Sequence, residues 1–244
     1  MTVLCRMYLF TILTEIDMDL CLTGRQNNLM GDNLGKRLFD LSATMVGLIL
    51  LAPVLLVLAW LIKQEDHGPV FYRGERVGLG GAPFRIFKFR SMVVNAERLG
   101  GSSTADDDPR ITRIGRKLRK YKLDELPQLF NILRGEMSLV GPRPEVKYYT
   151  EMFTREEKAI LGVLPGITDW ASLWNPDEGS ILAGAADPDR AYLELIRPTK
   201  LQLQLRYARE HSFLGDLQII FLTLWALARP QSRTIVELRQ RLAS

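Results

Sequence analysis

Two adjacent carboxylates, Asp124 and Glu125, stand in the run KLDELPQLFNILRGEMSLVGPRPE, just ahead of Pro127 and an apolar helical stretch. Proline is tolerated in a first helical turn, so the pair is expected at a helix N-terminus, where backbone N–H groups and the helix dipole favour an incoming phosphate. Before it, PRITRIGRKLRKYK places Arg110, Arg113, Arg116, Lys117, Arg119, Lys120 and Lys122 close together, with Ile114, Leu118 and Tyr121 recurring at helical spacing. Displacement at phosphorus in a nucleoside diphosphate needs an attacking oxygen, a cation over the diphosphate and donors for charge on the equatorial oxygens. One carboxylate can attack, the other can hold Mg²⁺, and nearby arginines can bind the remaining charge. Arg143, between Pro142 and Pro144, lies in a stiff turn that aims its guanidinium with little entropy to lose. Each feature also has a plainer reading: Asp124 as a helix cap, Glu125 as a solvated first-turn acid, Arg143 as an exposed loop arginine.

The elements around these residues follow from pattern. VFYRGERVGLGGAPFRIFKFRSM reads as two β-rich runs around Gly78, Gly80 and Gly81, a small hairpin whose glycines suit a turn better than a phosphate loop. Lys88 and Arg90, two apart, would share one face of a strand and either meet an anionic ligand or face solvent. Asp106, Asp107 and Asp108 before Pro109 read as a loop closing onto the next helix rather than a metal cluster. The basic helix by composition suits nucleic acid, acidic lipid headgroups or phosphate substrates equally. Further on, AYLELIRPTKLQLQLRYAREHSFLGDLQIIFLTLWALARP reads as two helices joined near His211 to Gly215, with His211 at a helix end. The second is too short to span a bilayer and either packs in the core or lies in the interface with Trp225 as anchor. Trp170 and Trp174, followed by Pro176, suggest a loop near the membrane or a contact between two copies of the chain.

Residues 41–62 carry no charge, enough to cross about 30 Å of hydrocarbon as a helix. Pro53 near their centre removes a backbone donor and clashes with the preceding turn. A slight bend leaves a spanning helix; a sharp break at Ala52-Pro53 gives a re-entrant hairpin. Lys36, Arg37 and Lys63 flank the run at both ends, which favours the hairpin with both ends cytoplasmic. Asp40, just before the run, needs a partner that Arg37 can supply. The chain divides into an N-terminal extension (1–29), a membrane-anchoring segment (30–66) and a cytosolic domain (67–244). The extension shows no signal-peptide pattern, and Cys5 and Cys21 match no metal or redox spacing. With 47% apolar and 25% charged residues and a net charge of +4, the 244-residue chain is not disordered throughout and suits an anionic partner.

Taken together, KRLFD before a proline-interrupted anchor, GPVFYRGERVG, PFRIFKFRSM, DPRITRIGRKLRKYKLDELPQLFNILRGEMSLVGPRPE and LPGIT resemble the monotopic phosphoglycosyl transferases, or bacterial sugar transferases, in particular the smaller members. The resemblance implies an α+β fold with a re-entrant membrane helix and a mostly helical cytosolic catalytic domain. It implies Mg²⁺ dependence and transfer of a sugar 1-phosphate from a UDP-sugar to polyprenyl phosphate with release of UMP, at the cytoplasmic face of a bacterial inner membrane. The matched roles are Asp124 as covalent nucleophile, Glu125 as metal ligand, and Arg119 and Arg143 as phosphate or nucleotide contacts. Two departures stand out: Ala52-Pro53 where many members have Ser-Pro, and DWASLWNPDEGS where many continue GWAQVNGRN after LPGIT. The competing readings are a membrane-tethered nucleic-acid-binding regulator, in which adjacent acids would repel the ligand, and a non-catalytic scaffold of polysaccharide assembly.

Overall fold

The computed structural model describes residues 34–101 and 103–243, so the expectations for residues 1–29, including Cys5 and Cys21, lie outside the described residues. In chain order its main elements are α1 (Leu34–Asp66), β1 (Phe71–Tyr72), β2 (Glu75–Val77), β3 (Pro83–Arg85), β4 (Lys88–Phe89), α2 (Arg113–Lys120), α3 (Leu129–Leu133), β5 (Ser138–Val140), β6 (Gly166–Thr168), α4 (Trp170–Trp174), α5 (Arg197–Glu210), α6 (Phe213–Ala228) and α7 (Arg233–Ala243). Helix dominates and the strands are short, which is an α+β composition. Contacts divide the chain into two compact units. Among the described residues, one holds those up to Gly74 with Ile86–Val94 and Ile111–Gly135; the other holds Glu75–Arg85, Asn95–Arg110 and those from Glu136 onward.

In the first unit α1 is, among the described residues, the one helix long and apolar enough to cross a membrane. Helical backbone runs on both sides of Pro53, so any change of direction there is made within the helix rather than through an intervening loop. Proline forfeits one hydrogen bond, yet the flanking Leu50, Leu51, Leu55 and Leu56 are strong helix formers that carry the turn on either side. Towards its C-terminal end, Ala59 and Ile62 pack with Val70, Phe71, Phe87, Phe89 and Leu118 in a buried cluster. Each large apolar side chain fully buried there contributes about 2 kcal/mol. Phe71 and Phe89, register partners of the antiparallel β1–β4 pair, stack at 5.6 Å, and Phe87 meets Phe71 edge-on at 5.9 Å. Met45, Val46, Ile49, Leu50, Val54, Val57 and Trp60 of α1 are exposed.

Both ends of α1 are tied to the charged segment Ile111–Gly135. Near the start, Arg37 Nη2 donates to the Ile132 carbonyl at 2.8 Å; near the end, Glu65 Oε1 accepts from the Ile114 N–H at 3.2 Å. Arg37 and the buried Asp40, one turn on, attract each other. Helix α2 begins at its cap Thr112, whose hydroxyl accepts from the Gly115 N–H at 2.9 Å. Three cations in its last turn, Lys117, Arg119 and Lys120, complement the negative end of the helix dipole. Gly115 is required by packing: a Cβ there would lie 1.9 Å from the Ser91 carbonyl oxygen.

In the second unit β2 and β3 form the expected antiparallel hairpin, pairing Glu75 with Arg85 and Val77 with Pro83. Strands β5 and β6 pair in parallel, Ser138 with Gly166 and Val140 with Thr168. Gly141, which opens the GPRP turn, sits so close to the Leu164 carbonyl that a Cβ would lie 2.2 Å from its oxygen. The expected helices before and after His211 are α5 and α6; His211 follows the last residue of α5 and stacks on Tyr207. Val140, Leu173, Tyr207 and Ile219 form a core cluster, in which the Tyr207 hydroxyl lies 2.7 Å from Asp216 Oδ1. Leu214, Phe221, Leu224, Trp225 and Leu227 of α6 remain exposed. Trp170 and Trp174 are helical rather than in a loop, because Asp169 caps α4 by accepting from the Ser172 N–H at 2.7 Å.

Candidate active site

The paired carboxylates lie in a 3₁₀ turn, Leu123–Gln128, that leads into α3. Pro127 sits inside that turn, and Lys122, at φ 55°, makes the sharp reversal out of α2. Asp124 is 6% exposed, and its Oδ1 is buried with no hydrogen-bond partner. Asp124 therefore does not cap a helix through that oxygen; a cap would aim it at a free backbone N–H. Burial raises the Asp124 carboxyl above the usual carboxylate range, the neighbouring Glu125 adds to this, and Lys88, Arg119 and Lys122 pull the other way. Three cations thus surround a carboxylate whose burial disfavours its charge.

Glu125 is anchored differently. Its Oε1 accepts from Lys88 Nζ at 2.8 Å, with both side chains largely buried. Lys88 comes from β4, so the strand and the 3₁₀ turn are joined at the acids. The turn is fixed further by Asn131 of α3, fully buried, whose Oδ1 accepts from the Phe87 N–H at 2.8 Å. Gln128, one turn after Asp124, is also buried, and its Nε2 has no hydrogen-bond partner. Sequence reasoning missed Gln128 and Asn131; the available signal was a polar amide recurring in an otherwise apolar run, LPQLFNIL.

Arg90 does not join Lys88. Its guanidinium donates to both carboxylate oxygens of Asp66, at 2.6 Å to Oδ2 and 2.5 Å to Oδ1, and its Nε donates to the Pro69 carbonyl at 2.6 Å. It closes the chain between α1 and β1. Arg90, one residue past β4, still donates its N–H to the Val70 carbonyl at 2.9 Å, so it is the pull of Asp66 on its side chain that sets it apart from Lys88. Arg119 projects from α2, and its charge favours the ionised form of Asp124. Arg143 belongs to the second unit, where its N–H donates to Asp169 Oδ2 at 3.4 Å. Pro53 lies within α1.

Asp106, Asp107 and Asp108 behave as the expected loop. Asp108 pairs with Arg110 at 2.6 Å, and Asp107 Oδ2 accepts from the Gly184 N–H at 3.1 Å. Among the described residues no group of three or more His, Cys, Asp and Glu side chains could hold a metal. Mg²⁺ on a nucleoside diphosphate needs less: one or two carboxylates, with phosphate oxygens and waters filling the octahedron. Asp124 with its unpartnered oxygen and the adjacent Glu125 fit that requirement, provided Glu125 shares or releases Lys88.

The family model described as bacterial sugar transferase matches residues 31–230. The chain is 39% identical over 192 residues, 78% of its own length, to a UDP-N-acetylgalactosamine-undecaprenyl-phosphate N-acetylgalactosaminephosphotransferase of Aeromonas hydrophila. It is 42% identical over 200 residues to an undecaprenyl-phosphate glucose phosphotransferase of Komagataeibacter xylinus, covering 79% of this chain. It spans only 42% and 36% of the lengths of those two relatives. An exopolysaccharide production protein, ExoY, of Sinorhizobium fredii is similar over most of both chains, 35% identical across 80% of this one and 85% of its own. The family model covers well over half of the residues, from just before α1 to just past α6, and so the chain belongs to the bacterial sugar transferase family.

Proposed function

We propose that this chain transfers a sugar 1-phosphate from a UDP-sugar to polyprenyl phosphate, giving a polyprenyl diphosphate sugar and UMP, as the initiating step of a surface polysaccharide or glycoconjugate. The observation that carries the reading is the Asp124 carboxylate, buried, with one oxygen unpartnered, beside the Lys88–Glu125 pair and the charge of Arg119. In the proposed reaction an Asp124 oxygen attacks the β-phosphorus of the donor. The bond from that phosphorus to the bridging oxygen breaks, and UMP leaves with the bridging oxygen. The phospho-sugar stays on Asp124 as an acyl phosphate until an oxygen of the lipid phosphate attacks the same phosphorus and releases the carboxylate. Lys88 and Arg119 are proposed to bind phosphate oxygens at Asp124, and Arg143 is proposed, by itself, as a phosphate or nucleotide contact. Glu125 is proposed to hold Mg²⁺, which when bound neutralises charge on the diphosphate. Arg90, engaged by Asp66, is assigned no substrate contact.

Incubation of the chain with radiolabelled donor and no lipid tests the scheme. Acid-sensitive label on the protein and stoichiometric UMP are expected, with neither in Asp124→Asn. Absence of label and of UMP release across a panel of UDP-sugars would leave the scaffold reading in possession.

The membrane arrangement is proposed to be re-entrant, at the cytoplasmic face of the inner membrane. In its support, Arg37 and Glu65 lie near opposite ends of α1 yet both bond to Ile111–Gly135, a segment too charged to enter lipid. A straight helix would carry those two residues about 42 Å apart, across the hydrocarbon core. Cysteine labelling at Lys36 and at Gln64 should modify both from the same side. Modification from opposite sides would establish a span instead. Pro53→Leu is expected to shift the population toward spanning.

A further inference from the structure

The turn that carries Arg143 is gripped by one face of one helix, and the following inference rests on the reading of Arg143 as a phosphate contact. Lys200 of α5 is 3% exposed, with Nζ at 2.6 Å from Glu145 Oε1 and 2.9 Å from Glu178 Oε1. It also donates to the Tyr192 hydroxyl at 3.2 Å, and that hydroxyl donates to Glu145 Oε1 at 2.9 Å. Burial alone would drive the Lys200 ammonium toward neutrality, but Glu145 and Glu178 more than reverse this and hold it well above the ordinary lysine value. One helical turn on, the fully buried Gln204 directs Nε2 to the Arg143 carbonyl at 3.5 Å and to Asp169 Oδ2 at 3.2 Å. The same Asp169 oxygen accepts from the Arg143 N–H. Residues 143 and 145 are thereby held on either side of the rigid Pro144.

A buried ammonium between two carboxylates is not what stability alone would select, since apolar residues of similar volume serve a core as well or better. The charge is explained by direction, because ion pairs and amide bonds fix orientation where apolar contacts slide. We propose that Lys200 and Gln204 are positioning residues for the nucleotide-sugar site: acting through Glu145 and Asp169, they set the backbone of the GPRPE turn and so the aim of the Arg143 guanidinium.

Calorimetric titration of the full chain in nanodiscs with UDP and Mg²⁺ tests this without requiring turnover. Arg143→Ala and Lys200→Met are each expected to weaken UDP binding about tenfold, and Gln204→Leu by a smaller factor. If Lys200 acts through Glu145, Lys200→Met made in a Glu145→Gln background should weaken binding by less than about twofold more. In turnover the losses in Lys200→Met and Gln204→Leu should fall on the donor KM more than on kcat. Weakening by Arg143→Ala with unchanged binding in both α5 variants would overturn the positioning role alone. Additive losses in the double variant, or losses that track melting temperature, would return Lys200 to a structural role. Unchanged binding in Arg143→Ala would overturn the reading of Arg143 and this inference with it. Should Lys200→Met fail to fold, Gln204→Leu decides by UDP binding and melting temperature: weakened binding at an unchanged melting temperature is expected, and unchanged binding would overturn the positioning role.

Discussion

Asp124→Asn is expected to make the protein inactive and more stable at once. The carboxylate is nearly inaccessible to solvent, one of its oxygens lacks a partner, and its proton is held above the usual carboxylate range by burial first and by Glu125 second. A carboxyl whose value is raised on folding supports the fold at low pH and loses that support as pH rises through the folded value. At pH 8 the ionised Asp124 is therefore a cost, offset in part by Lys88, Arg119 and Lys122. An asparagine leaves one polar atom unpaired but removes the buried charge, a gain of about 1–2 kcal/mol at pH 8. For a chain of this size that is a rise of roughly 2–8 °C in melting temperature. Thermal unfolding followed by tryptophan fluorescence, run from pH 8 down to pH 4, measures it. The advantage of the variant should shrink as the pH falls through the raised value, while its transfer activity stays absent throughout. A variant less stable than wild type at pH 8, or a difference independent of pH, would show that the three cations outweigh burial and that the carboxylate is well solvated by the fold.

Other substitutions separate chemistry from architecture. Glu125→Gln removes the 2.8 Å pair with Lys88 and should lower the rate at least tenfold, with partial recovery as Mg²⁺ is raised in a metal titration. Arg90→Ala removes the pair with the exposed Asp66 and the bonds to the Pro69 and Met92 carbonyls, and should destabilise the fold by about 1–3 kcal/mol, read as faster proteolysis between α1 and β1, while the metal dependence of the remaining activity is unchanged. Gly115→Ala forces a methyl against the Ser91 carbonyl and should cost about 2–3 kcal/mol or prevent accumulation of folded protein, measured by expression and thermal unfolding.

What could be read from the sequence was what is local. The glycine-bounded hairpin, the uncharged run of α1, the basic helix and the placement of the acids in a first helical turn all depend on residues within a few positions of one another. The contacts that were missed join distant positions. Arg90 looked like the strand neighbour of Lys88, and only the arrival of Asp66 from the end of α1 commits its side chain elsewhere. Nothing near Lys200 in the sequence announces Glu145 and Glu178. Asp169 with Ser172 was a visible capping pattern for α4, passed over because Pro176 suggested a loop. Pro53 lies inside α1 with leucines on either side that resume the helix, so helix assignment there was legible from composition.

Helix α1 is more than a tether. Ala59 and Ile62 supply one wall of the cluster that encloses Phe71, Phe87, Phe89 and Leu118, and Glu65 and Asp66 supply the bonds that start α2 and lock Arg90. Removing the apolar segment to obtain a water-soluble fragment would strip that wall and leave four large side chains facing solvent, beside the turn that presents Asp124. A soluble form of this protein is therefore to be sought by repainting the exposed apolar side chains, Met45, Ile49, Leu50, Val54 and Val57 among them, with the helix itself left in place.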